Sequence, residues 1–307
     1  MPNQAGTSPA RSIVFVHAHP DDESLDNGVA IARYLDEGAR VTVVSCTRGD
    51  EGEVIPPELA HLASDRDDEL GRYRETEMAA AMAALGVTDH RWLGGRGHYR
   101  DSGMLGTPAN DRPGAFWRAD LQEAADHLVA ILRELRPQVL VTYDPHGGYG
   151  HPDHINAHRT ATYAVALAAV PSHRPELGAA WDVPKVYWNA FPASAVDEQM
   201  RRLRAAEADG RLPDAFTLPD VDSYLAHRTC PDEAVAARLD TTDHPGWLDR
   251  KRAAMSAHVT QITVAGDIYA LSNNLGAVLL PYEAYRLAKG CSGKPDGVED
   301  DLFAGLD

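Results

Sequence analysis

Short runs of apolar, mostly β-branched residues alternate with amphipathic segments along the first 190 residues of the chain. The apolar runs predict five buried strands, at residues 13–16, 41–46, 91–93, 139–143 and 185–188. The segments between them predict helices at residues 28–37, 65–85, 119–135 and 154–170. Because strands that alternate with helices form right-handed crossovers, we predict an α/β fold: a Rossmann-like, mainly parallel sheet with helices on both faces.

The pattern becomes less regular after about residue 190, with further helices predicted at residues 197–209 and 247–258. We therefore predict two parts. One is a Rossmann-like core at residues 1–190, and the other is a smaller C-terminal α+β portion at residues 191–307 that packs on it.

Composition narrows the class of protein. The 307 residues include 29 Lys and Arg against 46 Asp and Glu, a net charge of −17. A surface this acidic argues against nucleic acid or an anionic membrane as partner, but it admits a small-molecule substrate. The three scattered cysteines fit a reducing compartment, and no apolar segment predicts a signal peptide or a membrane span. We therefore expect a soluble, cytoplasmic protein; composition does not predict its oligomeric state.

A dense group of polar residues, at positions 17–23, follows the first predicted strand. His19 and Asp22 are three residues apart across the turn at Pro20, so their side chains can converge on one point. Imidazole nitrogen and carboxylate oxygen together suit Zn²⁺ or Fe²⁺, and Asp21 between them could accept a proton. These residues taken alone fit a helix N-cap equally well.

A second such group, at positions 144–154, follows the fourth predicted strand and repeats the order His-Pro-Asp. His151 and His154 have the same three-residue spacing as His19 and Asp22. Parallel strands place their carboxyl ends at one edge of a sheet, which is where α/β folds bind ligands. Two such groups predict one shared metal site rather than two helix caps.

Two long irregular segments, at residues 48–62 and 94–117, follow the second and third predicted strands. Long loops at strand ends are usually functional or disordered. We expect both loops to border the same site.

Both motifs, at residues 18–23 and 151–154, resemble the signatures of the LmbE/PIG-L family of zinc-dependent N-acetylglucosaminyl deacetylases. Further segments at residues 52–55, 100–104, 147–150 and 271–275 resemble the actinobacterial members of that family that act in mycothiol biosynthesis. The resemblance therefore extends over nearly the whole chain.

The resemblance implies a role for each motif residue. The positions that match the family's zinc ligands are His19, Asp22 and His154, which leave an open coordination position for catalysis, although this ligand set also suits Fe²⁺. Asp21 matches the general base that deprotonates the attacking water.

Three more residues match groups that act on the reacting amide. His151 matches a histidine that, as a cation, stabilises the oxyanion and protonates the departing amine. Asp153 matches the carboxylate that orients this histidine and raises its pKa, and Tyr149 matches a tyrosine that donates to the oxyanion.

Substrate contacts are implied for Glu53, Arg74 and Asp101, which match positions that hold the hydroxyls of a sugar-inositol. Glu53 and Asp101 lie in the two long strand-end loops. The residues around Arg74 by themselves favour a solvated helix face.

The activity implied is metal-dependent hydrolysis of the N-acetyl group of N-acetylglucosaminyl-inositol. One alternative is a sibling amidase of mycothiol S-conjugates, which is disfavoured because residues 25–27 lack the lysine expected there. A second is another N-acetylglucosaminide deacetylase of the family. A third, of a different class, is a non-catalytic sugar- or metal-binding protein.

Overall fold

A seven-stranded mixed sheet forms the centre of the computed structural model, which describes residues 11–220 and 229–306. The strands are β1 (Ser12–His17), β2 (Arg40–Ser45), β3 (Asp89–Trp92), β4 (Val139–Thr142), β5 (Lys185–Ala190), β6 (Ala237–Asp240), β7 (Thr263–Ala265), β8 (Ile268–Ala270), β9 (Ala277–Val278) and β10 (Tyr282–Lys289). The central sheet has the order β3-β2-β1-β4-β5-β10-β6. Its first five strands are parallel, and β10 runs antiparallel to both neighbours. The remaining strands, β7-β8-β9, form a small antiparallel sheet.

Helices cover both faces of the central sheet. They are α1 (Asp22–Asp36), α2 (Leu70–Leu85), α3 (Leu121–Leu135), the single turn α4 (Gly147–Gly150), α5 (Pro152–Ala168), α6 (Ala193–Ala208) and α7 (Pro245–Ala257). One apolar core lies between the sheet and α3 with α5, and a second lies between the sheet and α1, α2 and α7.

Strand β1 shows why the chain forms this layered structure. Val14 and Val16 belong to the first core, whereas Ile13 and Phe15 belong to the second. Every residue of β1 is buried, which is typical of a parallel strand that is covered on both faces. The predicted α/β fold class, with a mainly parallel sheet and helices on both faces, is confirmed.

Several element boundaries differ from the sequence-based expectation. Helix α1 begins at Asp22 rather than near residue 28, because the first polar group itself forms its opening turn. Helix α2 begins at Leu70 rather than near residue 65, after Asp68 adopts a positive φ of 55°. Strands β6 and β10 extend the same sheet as β5, and the division of the chain at residue 190 stays a prediction.

The sheet topology brings the two polar groups together. Strands β1 and β4 are parallel neighbours, with Phe15 opposite Val141, so the segments that follow them leave the same edge. The loops after β2 and β3 leave that edge as well, because these strands are parallel to β1. Within the described ranges, none of the helices has the length and apolar character needed to cross a membrane.

Candidate active site

His19, Asp22 and His154 form a compact triangle at this sheet edge. His19 Nδ1 lies 3.5 Å from Asp22 Oδ2 and 3.3 Å from His154 Nε2, and His154 Nε2 lies 3.5 Å from Asp22 Oδ1. Ligands at about 2.0–2.1 Å from a tetrahedral Zn²⁺ are about 3.3–3.4 Å from one another. The three side chains are therefore spaced as ligands of one small cation.

The second nitrogen of each histidine has its own partner. His19 Nε2 lies 3.3 Å from Asp153 Oδ2, and His154 Nδ1 lies 3.2 Å from the carbonyl oxygen of Gly147. A metal-bound histidine usually donates its other N–H to a carboxylate or carbonyl in this way. These contacts leave His19 Nδ1 and His154 Nε2 as the free nitrogens, and both face Asp22.

Tyr143 supports this triangle, although its position in the sequence does not indicate such a role. Its hydroxyl donates to Asp22 Oδ2 at 2.6 Å and accepts from the Ala18 amide at 2.8 Å. Its ring stacks on that of His154, with centroids 4.2 Å apart. Tyr143 directly follows the last residue of β4, so the sequence pattern predicts a strand residue there and does not indicate the contacts with Asp22 and His154.

Two other groupings of donor atoms share His19. One ring nitrogen of His151 lies within 4.8 Å of the nitrogens of His19 and His154, and Asp101 and Asp153 surround His19 Nε2. The second grouping is a poorer cation site because Asp153 Oδ2 already accepts the Ser102 amide at 2.8 Å. The His19–Asp22–His154 triangle has the better spacing and the better supporting contacts.

Electrostatics in the triangle favour cation binding. Burial opposes ionisation of Asp22, yet His154 and His19 hold its pKa well below the usual range. Burial lowers the pKa of His154 to about 4, which leaves it neutral. Burial would also lower the pKa of His19, but the carboxylates of Asp101, Asp153 and Asp22 raise it well above its ordinary value. A cation that binds here would displace the proton of His19.

Asp21 stands beside the triangle in a strained conformation. Its φ of 116° lies in a region that L-residues rarely adopt, and such strain persists only where the surroundings enforce it. Burial raises the pKa of its carboxyl group to about 7, against the opposing charge of Arg74.

Arg74 is one of the groups that hold Asp21 in place. Its side chain is 2% exposed, and its guanidinium lies 3.1 Å from Asp21 Oδ2. It also donates to the carbonyls of Pro20 and Gly49. The solvated helix face favoured by the local sequence is therefore wrong, because α2 turns this side chain into the space beneath the first motif. The contacts seen tie Arg74 to the motif, and its role toward substrate stays a prediction.

Glu23 binds the backbone amide of Asp21, and His258 in turn binds Glu23. Glu23 Oε2 accepts the Asp21 amide at 2.9 Å, and Glu23 Oε1 lies 2.9 Å from His258 Nε2. Both side chains are fully buried, and Ser24 Oγ donates to Glu23 at 2.6 Å. The sequence does not indicate this pairing, because the two residues are 235 positions apart and only the fold brings them together.

Replacing Glu23 with Ala is expected to lower the free energy of unfolding by about 3–5 kcal/mol, since it leaves a buried histidine without its partner. Denaturant unfolding followed by circular dichroism measures this. The matched control is Glu37→Ala, which removes a partly exposed ion pair with Arg33 and should cost about 1 kcal/mol or less. Equal losses in the two variants would contradict the supporting role of the Glu23–His258 pair.

His151 and Asp153 are in contact through the backbone of Asp153 rather than through its carboxylate. The carboxylate of Asp153 contacts His19 and the Ser102 amide, whereas His151 Nδ1 accepts the backbone N–H of Asp153 at 3.2 Å. Burial, together with the charge of His19, lowers the pKa of His151 to about 2. The Asp153 carboxylate thus contacts His19 and the Ser102 amide rather than the His151 ring, and the roles of His151 and Asp153 toward substrate stay predictions. An imidazole whose Nδ1 accepts a hydrogen bond is neutral and carries its proton on Nε2.

The other predicted residues lie at different depths. Tyr149 is 39% exposed, with its ring centroid 5.0 Å from that of His154 and 6.1 Å from that of His151. Asp101 is buried, and its Oδ1 lies 3.5 Å from His19 Nε2. Glu53 is exposed on the loop after β2, where its carbonyl accepts from Gln261. The sheet edge thus gathers Tyr149 and Asp101 near the triangle and leaves Glu53 on an exposed loop.

Known structures of this fold include proteins of different activity. The 4-carboxy-2-hydroxymuconate hydratase of Pseudomonas putida KT2440 matches with a TM-score of 0.56 at 19% identity, over 92% of this chain and 97% of that one. At this level of identity the likeness supports the fold alone.

Proteins found by sequence comparison are much more similar to this chain than that hydratase is. Chains from Geodermatophilus obscurus and Streptomyces scabiei, each named 1D-myo-inositol 2-acetamido-2-deoxy-alpha-D-glucopyranoside deacetylase, are both 56% identical to this one. The matches cover 97% and 96% of this chain, and 99% and 89% of the relatives. A family model described as PIG-L, GlcNAc-PI de-N-acetylase, matches residues 14–165, which include both polar groups. The resemblance inferred from the motifs is confirmed, and the chain belongs to the PIG-L family.

Proposed function

We propose that this chain hydrolyses the acetamide of N-acetylglucosaminyl-inositol to the free amine and acetate, a reaction of mycothiol biosynthesis. The observation that carries the proposal is the His19–Asp22–His154 triangle with Asp21 beside it, in a chain 56% identical to two deacetylases named for that substrate. The complete ligand set and the adjacent carboxylate disfavour a purely binding protein. We expect the reaction to take place in the cytoplasm.

The residues of the triangle fit Zn²⁺, with Fe²⁺ as the alternative, because they offer two imidazole nitrogens, once the bound cation displaces the proton of His19, and a carboxylate oxygen. A bound ion would supply Lewis acidity, which polarises the amide carbonyl and acidifies water. Three protein ligands leave room for water or substrate, which is the pattern of catalytic rather than structural sites.

Asp21 is the group proposed to accept the proton of the attacking water. The water oxygen bonds to the acetamide carbon, the C–N bond breaks, and acetic acid leaves and ionises to acetate, so that the second proton of the water passes to solvent. The proton that Asp21 accepts balances the one that the departing amine requires. Arg74 and Glu23 fix the carboxylate and the backbone of Asp21, so little reorganisation accompanies the transfer.

Tyr149 and His151 are proposed to stabilise the oxyanion. A neutral His151 with its proton on Nε2 can donate a hydrogen bond, as can the hydroxyl of Tyr149. Loss of one such donor typically costs about 10²–10³ in turnover.

Substrate specificity is proposed to depend on the loops after β2 and β3, through Glu53 and Asp101. Polyol substrates need fixed polar partners, since apolar walls do not orient hydroxyls. Glu53 is exposed and therefore accessible to the part of the substrate remote from the acetamide.

Glu53→Gln is expected to lower kcat/KM for the inositol glycoside about tenfold more than for plain N-acetylglucosamine, the equivalent of about 1.4 kcal/mol of transition-state contact. Acetate release from the two compounds measures this. Glu58→Gln, an exposed change in the same loop, should leave the ratio unaltered. An unchanged ratio in Glu53→Gln would remove Glu53 from the substrate site.

The amidase alternative is separated by comparing two substrates. Purified protein should turn over N-acetylglucosaminyl-inositol with a higher kcat/KM than a mycothiol S-conjugate. The opposite preference would assign the chain to the amidase branch and leave the metal site and the fold unaffected.

A further inference from the structure

A second cluster of metal-ligating side chains lies where the loop after β3 meets α3. His98 Nε2 lies 3.0 Å from Glu123 Oε1, and His127 Nε2 lies 3.7 Å from the same oxygen. One ligand atom from each residue lies within 4.8 Å of the other two. Among such groups in residues 11–220 and 229–306, this one shares no member with the triangle described above.

Two of the three residues are placed by α3. Glu123 and His127 are four positions apart, so they lie one above the other on the same face of the helix. The first turn of α3 is capped by Asp120, whose Oδ1 accepts the Gln122 and Glu123 amides at 2.9 and 3.0 Å. The backbone that carries these two ligands is therefore fixed.

The loop brings His98 up to them. Tyr99 next to it is buried, with its ring centroid 5.0 Å from that of Phe116, and the His98 amide donates to the Gly95 carbonyl at 3.1 Å. A Cβ on Gly94 would lie 2.5 Å from His98 Cδ2 and 3.2 Å from His127 Cδ2. The glycine therefore permits both imidazole rings to approach, with centroids 5.1 Å apart.

A simple ion pair does not account for the whole cluster. The His98–Glu123 contact satisfies two of the side chains, yet His127 Nε2 is buried and has no hydrogen-bond partner. Buried polar atoms are usually paired with protein, water or an ion. The side chains remain 36–54% exposed, so a cation can enter from solvent.

We propose that His98, Glu123 and His127 form a second binding site for a divalent transition metal, of which Zn²⁺ is the natural probe. Two imidazole nitrogens and one carboxylate oxygen are a ligand set that zinc favours. His127 Nε2 lies farther from Glu123 Oε1, at 3.7 Å, than any two ligand atoms of the triangle lie from each other, and rotation of the exposed side chains would bring it onto the ion. The site does not depend on the proposed function.

Binding there would join the loop after β3 to α3. The same loop carries Asp101, whose carboxylate approaches His19, and Ser102, whose amide donates to Asp153. A cation that binds the folded chain alone raises its stability by mass action. Zinc should therefore raise the thermal midpoint of the wild-type chain in two concentration ranges, one for each site.

Zinc stoichiometry tests the proposal without any reading of turnover. Calorimetric titration of metal-free protein with Zn²⁺ should give two equivalents for the wild type and one for His98→Ala/His127→Ala, which changes only partly exposed side chains. His19→Ala/His154→Ala should also bind one equivalent, and that remaining equivalent identifies the second site even if catalysis is lost.

His61→Ala is the matched control, since His61 is exposed and lies outside the cluster. It should keep both equivalents. Acetate release by His98→Ala/His127→Ala loaded with one equivalent should match the wild type. A single equivalent in the wild type, or two retained in His98→Ala/His127→Ala, would overturn the proposal.

Discussion

Asp21→Asn should lower the turnover of N-acetylglucosaminyl-inositol by about 10²–10⁴, the range typical of losing a general base. The substitution removes the proton acceptor and preserves the shape of the side chain, and asparagine tolerates a positive φ better than most residues. Acetate release under saturating substrate measures the change. Metal content should equal that of the wild type, because Asp21 lies outside the triangle of proposed ligands.

The control for this variant is Asp36→Asn, a change at the exposed C-terminal end of α1 that should leave turnover unaltered. Turnover within a few-fold of the wild type in Asp21→Asn would remove Asp21 as the base. Loss of metal from Asp21→Asn would instead mean that it takes part in coordination.

His154→Ala should lose bound metal and, with it, measurable deacetylation. The variant keeps two of the three proposed ligands. Loss of a residue that only contacts a ligand typically lowers metal affinity about 10–100-fold, and loss of a ligand itself should lower it further. Asp153→Asn provides that comparison, because Asp153 contacts His19 through its carboxylate and is not itself one of the three. Metal analysis after dialysis, together with acetate release, measures both variants.

A histidine on the same helix gives the matched control. His158 lies one turn after His154, and its Nδ1 lies 2.9 Å from the Tyr143 carbonyl oxygen. Because His158 is not one of the three proposed ligands, His158→Gln should retain full metal content. Full occupancy in His154→Ala would show that the ion is held elsewhere, with the His19–Asp101–Asp153 grouping the first to examine.

Much of the site could be predicted because its proposed ligands lie in the segments that directly follow strands. The repeated His-Pro-Asp order after the first and fourth predicted strands placed His19, Asp22 and His154 at one sheet edge, and the neighbouring positions of β1 and β4 bring them together. The apolar run at residues 13–16 of β1 also indicated a strand that is covered on both faces, which the buried strand confirms.

What could not be predicted is which partner each polar side chain meets across the fold. Arg74 looks solvated by its helical neighbours, and only the packing of α2 beneath the first motif buries it against Asp21. The partner of Glu23 comes from the end of α7, far along the chain. The two-residue spacing of His151 and Asp153 does not reveal that the carboxylate of Asp153 turns toward His19 instead.

The most direct test of the central claim measures acetate and free amine released from N-acetylglucosaminyl-inositol by the wild-type chain. The two products should appear in equal amounts, cease after the metal is removed by a chelator, and return when Zn²⁺ or Fe²⁺ is restored. Release that persists in metal-free protein, or no release from protein with the His19–Asp22–His154 site filled, would contradict a metal-dependent deacetylase.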